Sequence, residues 1–233
     1  MTPEHRGRLR AAGVEASAID PLTWELLGDP MPDWWHRNGN ALYLAEGASL
    51  PDHVLASLGT IPVSNVLIAV GTHMEWLTSL LIGGDFVTVF LGRECVLTAG
   101  RIYCGADSHI VLHGPMIATR GAVIDARNGG SIIAEPDQLW ASDVYVATDD
   151  MHRLEDRRTG ERINPFGAHI RLGKHVWLGK EAIVTGHAEI GEGAVVGMRS
   201  LVRGQKVPPH SVAVGSPARI VRENTSWSHG DVP

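Results

Sequence analysis

The stretch LGKHVW LGKEAI VTGHAE IGEGAV VGMRSL V, residues 172–202, decides the reading of this chain. Written in sixes, it opens every hexad on an aliphatic residue: Leu172, Leu178, Val184, Ile190, Val196 and Val202. Gly173, Gly179, Gly191 and Gly197 follow four of those openers, and Val176, Ala182, Ala188, Ala194 and Ser200 hold the fifth place. A helix repeats every 3.6 residues and a strand every 2, so neither produces a strict six. A short hexapeptide period belongs to a parallel β-helix, a chain wound as a triangular coil. The opener points inward and stacks on the openers above and below, while the glycine and the small fifth residue fit close to the corners.

Outward from this core the pattern weakens. LGRECV, LTAGRI and YCGADS, from Leu91, Leu97 and Tyr103, run in phase, with Cys95 and Cys104 at structural positions. Beyond Ser108 the phase slips, but apolar tracts recur at 110–112, 123–124, 132–133 and 144–146, with irregular corners at Pro115, Gly129-Gly130 and Pro136. Residues 151–169, MHRLEDRRTGERINPFGAH, are highly charged and interrupt the repeat; an insertion of this kind in a compact repeat is usually functional. The division expected is an N-terminal segment of mixed structure over 1–64, a β-helix over 65–202 with an active-site loop at 148–169, and a C-terminal cap and tail over 203–233. In the first segment, Pro3–Ala12 and Pro21–Leu27 read as short helices capped by Thr2 and Asp20. Trp24, Trp34 and Trp35 read as packing against the first coil, with Trp34, Trp35 or His36 bordering an acceptor site as the alternative. An open coil end must be covered to avoid edge pairing, and the tail with Trp227 is expected to fold back for that purpose.

The net charge of -6 leaves no basic stripe for a nucleic acid. Two cysteines without a CxxC pair argue against a zinc or disulfide framework, and they read as buried reduced thiols in a cytoplasmic protein. The N-terminus MTPEHRGRLRAAG lacks the apolar core of a signal peptide, and no uncharged span reaches membrane-crossing length.

The run HVWLGKEAIVTGHAEIGEGAVVGMRSLVRGQKVPPHSVAVGSPARIVRE resembles the closing coils of hexapeptide-repeat acyltransferases, in which WIG-type coils precede a VPP turn and a G-x-P-A-[KR] segment. TDDMHRLEDRRTGERIN resembles the loop of the sugar and polysaccharide O-acetyltransferase branch, where Asp-x-His opens a charged loop that ends in Arg-Ile-Asn. The resemblance covers residues 144–222 well and 66–145 loosely. It implies an all-β chain wound as a left-handed parallel β-helix, a homotrimer, and acetyl-CoA as the acyl donor in a groove between coils. By position the catalytic base it implies is His152, in Asp150-Met151-His152.

The chemistry suits those residues. Acetyl transfer to a hydroxyl requires a base for its proton, and an imidazole titrating near neutrality fits that work. Asp150 or Asp156 is a candidate to orient the ring, Asp150 being equally suited to capping a turn. A backbone N–H at a glycine corner such as Gly179 is a candidate donor to the oxyanion. With both cysteines in hexad positions, direct transfer is favoured over a covalent intermediate. On positions matching the family, Lys180 and Met198 line the pantetheine arm, and Arg203, Arg219 and Arg222 face phosphates. At Arg203-Gly204-Gln205-Lys206 the chain departs from the family pattern, so Lys206 is a further candidate for the ammonium; surface charge explains each of these cations equally well.

The expected function is therefore acetyl-CoA-dependent O-acetylation of a sugar hydroxyl in surface polysaccharide or glycoconjugate synthesis, without a metal. N-acetylation of an amino-sugar nucleotide is the enzymatic alternative. A γ-type carbonic anhydrase would need a histidine triad around zinc, for which His109, His113 and His152 would have to converge. A non-catalytic scaffold is the remaining reading. His169, His175 and His187 are expected at the surface.

Overall fold

Three parallel sheets, each receiving one strand per coil, organise the chain in a computed structural model that describes residues 1–230. In the first sheet the strands from Ala41–Ala45 to Lys206–Val207 pair in parallel, coil on coil. The second runs from Ser79–Ile82 to Leu201–Arg203 and the third from Cys95–Leu97 to Val212–Val214. The stack therefore reaches beyond the expected 65–202 at both ends.

The hexads of 172–202 map onto this arrangement directly. Leu178 pairs with Val196 and Val184 with Val202, three hexads on, so one hexad serves one sheet and three make a coil. All six openers and all five fifth-place residues are buried. Gly179 needs no unusual φ; its reason is close approach, since a Cβ there would meet the backbone nitrogen of Met198 at 2.6 Å. The earlier coils are longer. Leu91 pairs with Leu112, and Leu112 with Ala134, which explains the loss of phase beyond Ser108. The hexad read from Tyr103 is one residue out: Ile102 and Cys104 point into the core and Tyr103 points outward, half-buried.

Packing separates the two roles of the N-terminal segment. Helix α1, Pro3–Ala11, starts at Thr2, whose hydroxyl accepts from the His5 N–H. Leu9, Ala12, Val14, Ile19 and Trp24 lie against Tyr43, Ala69, Phe90 and Val111 and cover the outer face of the first sheet over its early coils. The Arg8 guanidinium fastens this layer, donating to Thr88 Oγ1 at 2.9 Å and to the carbonyls of Asn65 and Val87 at 2.6 Å. The helix expected over Pro21–Leu27 is instead the strand Trp24–Leu26, because its backbone pairs antiparallel with Ala41–Ala45. The second helix, α2, is Ala16–Ile19, and Asp20 closes it and pairs with Arg6 and Arg10 rather than opening a helix.

Helices α3, Asp33–Arg37, and α4, Asp52–Leu58, plug the first end of the coil. Trp35, Leu42, Leu50, Val54 and Leu58 belong to the long axial core that continues through every coil to Ala218. Burying side chains of this size contributes about 1.5–3 kcal/mol each. At the other end, Arg219–Arg222 turns antiparallel onto Val212–Val214, and Trp227 folds back to stack on His175 at 3.9 Å between ring centroids. The tail thus folds back as expected, but Trp227 lies on the flank of the coil at His175; the tail's last residues, 231–233, lie outside the described residues. His175 is accordingly half-buried rather than a free surface histidine, whereas His169 and His187 are exposed.

Candidate active site

Val146 pairs with Val184 across a step much longer than that from Val184 to Val202, and the charged loop occupies the difference. The loop leaves the second sheet after Tyr145–Ala147 and returns to the first at His169–Leu172. Its root is polar and packed. Thr148 Oγ1 accepts from the Arg127 N–H at 2.9 Å, and buried Asp149 accepts from the Asn128 amide at 3.1 Å through Oδ2. Asp149 Oδ1 has no partner among the described residues.

The tip is shaped by Met151, which sits at φ 63°, and by Asn164. Asn164 is buried, donates through Nδ2 to the His152 carbonyl at 2.8 Å and accepts the Leu154 N–H at 2.8 Å through Oδ1. One amide therefore clamps the backbone on both sides of Arg153, and the His152 side chain is left exposed. The Asp150 carbonyl accepts the His152 N–H at 2.8 Å, while the Asp150 carboxylate pairs with Arg203 at 2.9 Å. That carboxylate is thus spent on Arg203 and not on the imidazole, and Asp156 binds Arg158. In the sequence Asn164 reads as a turn residue and the end of a motif; its clamping role needs the two ends of the loop to be seen together.

A groove runs under the loop on the outer face of the second sheet. It is lined by Tyr145, Asp149, Asp150, Met151, Ile183, Thr185, Leu201 and Arg203. Tyr145 also borders a second apolar hollow, where Arg127 lies 3.9 Å over the Tyr103 ring and is held by Asp125. Burial and the nearby Asp125 carboxylate push the Tyr145 phenol above its ordinary pKa. Tyr145 went unnoticed in the sequence because it sits inside an apolar tract and reads as core.

The other candidates fall into separate places. Lys180 and Met198 stack on successive coils at the corner between the third and second sheets, both exposed. Arg219 and Arg222 are exposed on the final antiparallel strand. Lys206 lies on the first sheet, its ammonium 2.6 Å from Glu189. Gly179 is buried and its N–H donates to the Val196 carbonyl at 2.7 Å, so it has none to offer an oxyanion. Trp35 is fully enclosed in the core and Trp34 packs half-buried against it, 5.8 Å from its neighbour between centroids, which leaves Trp35 no face for an acceptor. Cys95 and Cys104 are buried, and burial pushes the Cys95 thiol up to about 12 and that of Cys104 higher still. Neither is available as a nucleophile.

No histidine triad forms from His109, His113 and His152: His113 is buried and bonds the Gly13 carbonyl, and His152 stands on the loop tip. No helix among the described residues is long and apolar enough to cross a membrane.

No family model matches the chain. Among curated proteins, a putative acetyltransferase of Staphylococcus aureus (strain COL) is 38% identical over 79 residues, 34% of this chain and 37% of that protein. The serine acetyltransferase of Salmonella typhimurium is 33% identical over 131 residues, 56% of this chain and 44% of that protein. The matches thus span less than half the length of these relatives. Among solved structures, the polysialic acid O-acetyltransferase OatWY aligns with a TM-score of 0.66 at 24% identity, covering 72% of this chain and 80% of that one. The polySia-specific acetyltransferase NeuO aligns at 0.64 and 23% identity, covering 72% and 71%. Those identities establish a shared fold, and the relatives by sequence are described as acetyltransferases. The resemblance drawn from the closing coils stands.

Proposed function

We propose that this chain is an acetyl-CoA-dependent O-acetyltransferase that acylates a sugar hydroxyl in the cytoplasm, for surface polysaccharide or glycoconjugate synthesis, with His152 as general base. The observation that carries this reading is the clamped loop tip: His152 is exposed on it, and its neighbours Asp150 and Met151 line the Tyr145–Arg203 groove. OatWY and NeuO, described as acting on polysialic acid, favour a glycan acceptor.

In this mechanism the acyl donor supplies an activated acetyl thioester. A ring nitrogen of His152 takes the acceptor's hydroxyl proton as its oxygen bonds to the acetyl carbon; the carbon–sulfur bond then breaks and the thiolate is reprotonated. Asp150 is assigned a positioning role through its carbonyl on His152 and its carboxylate on Arg203. The corner of Gly179, Lys180 and Met198 is proposed to follow the pantetheine arm, and the exposed Arg219 and Arg222 to meet phosphates. Arg203 and Lys206 already carry carboxylate partners, which makes them weaker phosphate candidates.

A homotrimer completes the proposal. The loop exposes Leu154 at 53%, Ile163 at 67% and Phe166 at 61%, an arrangement suited to reaching a second copy. On the third sheet Val96, Ile117, Leu139 and Trp177 form a register-aligned outward apolar column.

Labelled acetyl-CoA offered with a panel of oligosaccharides tests the activity. Transfer giving an ester released by mild alkali supports the reading. An alkali-stable product would instead establish N-acetylation, and absence of both transfer and CoA binding would leave a scaffold.

A further inference from the structure

Away from the loop, the corner between the first and third sheets holds a compact set of donors. Asp137 and His175 occupy that corner on successive coils, at φ 66° and 55°, joined by the His175 N–H donating to the Pro136 carbonyl. The tail brings His229 to the same place. Asp137 Oδ2 lies 2.6 Å from His175 Nδ1, and Oδ1 lies 2.7 Å from His229 Nε2. One ligand atom from each of the three residues lies within 4.8 Å of the others.

The bonding around His175 fixes which of its nitrogens carries a hydrogen. Its Nε2 is 2.9 Å from the Trp227 carbonyl, an acceptor only, so Nε2 carries the hydrogen. A neutral ring then turns a lone pair on Nδ1 towards Asp137 Oδ2, itself an acceptor. Two lone pairs at 2.6 Å repel, so Nδ1 either carries a second proton, which makes His175 an imidazolium paired with Asp137, or shares a metal ion with that carboxylate. An imidazole that gives its far N–H to a main-chain carbonyl while its near nitrogen faces a carboxylate and a second imidazole has the outer-shell arrangement of a metal ligand. Trp227 Nε1 returns a hydrogen bond to the His175 carbonyl at 2.9 Å and its ring stacks on the imidazole, which fixes the ring plane.

We propose that Asp137, His175 and His229 bind one divalent transition-metal ion of the zinc class, which staples the C-terminal tail to the coil. Two imidazoles and one carboxylate suit such an ion, bound at about 2.0–2.2 Å with remaining positions open to water. The ion's role is structural: it ties Asp137 and His175 of the body to His229 of the tail, holding Trp227 over the third sheet 5.9 Å from Trp177. The sequence alone argued against a metal because it shows no clustered motif; the ligands come from three distant segments that only the coil and the returning tail assemble.

The test uses the tag-free full chain after chelation, titrated with Co²⁺ and followed by visible absorption, then competed with Zn²⁺. One saturable cobalt site per chain, displaced by zinc, is expected, and His229→Ala and Asp137→Asn should each weaken binding by about tenfold or more. His229 is on the exposed tail, and asparagine tolerates the left-handed conformation of position 137, so both variants keep the coil. Amide exchange in residues 224–230 should slow with Zn²⁺ in the parent chain and not in His229→Ala. Absence of a saturable site, or a site unchanged in both variants, overturns the proposal. So does tail protection that ignores the metal and follows pH alone, since a proton on His175 would then be the cation. None of these readouts depends on acetyl transfer.

Discussion

Asn164 holds both ends of the segment that carries His152, and its amide is the smallest unit on which the site depends. Replacing it with alanine removes the partners of the His152 carbonyl and the Leu154 N–H, two part-buried bonds worth about 0.5–1.5 kcal/mol each. Asn164→Ala should lower kcat by about tenfold or more, because a loop base loses its aim when its backbone is released; steady-state kinetics beside an unchanged far-ultraviolet spectrum checks this. Cys95 is a second residue-scale case, with its thiol pushed up to about 12 by burial. A thiol raised from 9.0 favours the folded state fully below pH 9 and loses that contribution as pH rises from 9 towards 12. Alkylating reagent at pH 8 should leave Cys95 and Cys104 unmodified in the native chain and modify both in denaturant, as read by mass spectrometry.

At the scale of elements, α3 and α4 form an end plug, and Trp35 is its largest side chain. Trp35→Ala should cost about 3–5 kcal/mol of stability and leave the acceptor KM unchanged, measured by denaturant unfolding and kinetics. The contrast between plug and coil explains what the sequence made legible. Leu172 to Val202 could be read because every side chain there answers to one geometric rule, repeated each hexad. Trp34 and Trp35 could not, since an aromatic pair looks alike whether it plugs a core or lines a cleft. Asp20 misled for a related reason: a carboxylate suits a helix start, but here two arginines of α1 claim it. Gly179 was placed correctly at a tight corner, yet the ladder bond to Val196 consumes the N–H that an oxyanion would need. His152 is proposed through its motif, whereas the placement of Asn164 and Tyr145 required the folded loop and sheet.

On the scale of the whole molecule, the N-terminal layer covers the outer face of the first sheet over its early coils, while the other two sheets keep outward apolar residues in water. Val96 at 42% exposure, Ile117 at 45% and Trp177 at 38% mark one such face, and the apolar loop tips project beside another. Sedimentation at micromolar concentration should give a species of three chains, and Ile163→Asp with Phe166→Asp should shift it towards smaller species. The central claim, however, concerns one imidazole. The most direct measurement is acetyl transfer by His152→Ala beside calorimetric binding of CoA to the same variant. The account predicts a loss of about 10²–10⁴-fold in kcat, the range for a general base, with CoA affinity and assembly as in the parent chain. Transfer at the parental rate in a variant that still binds CoA would contradict it.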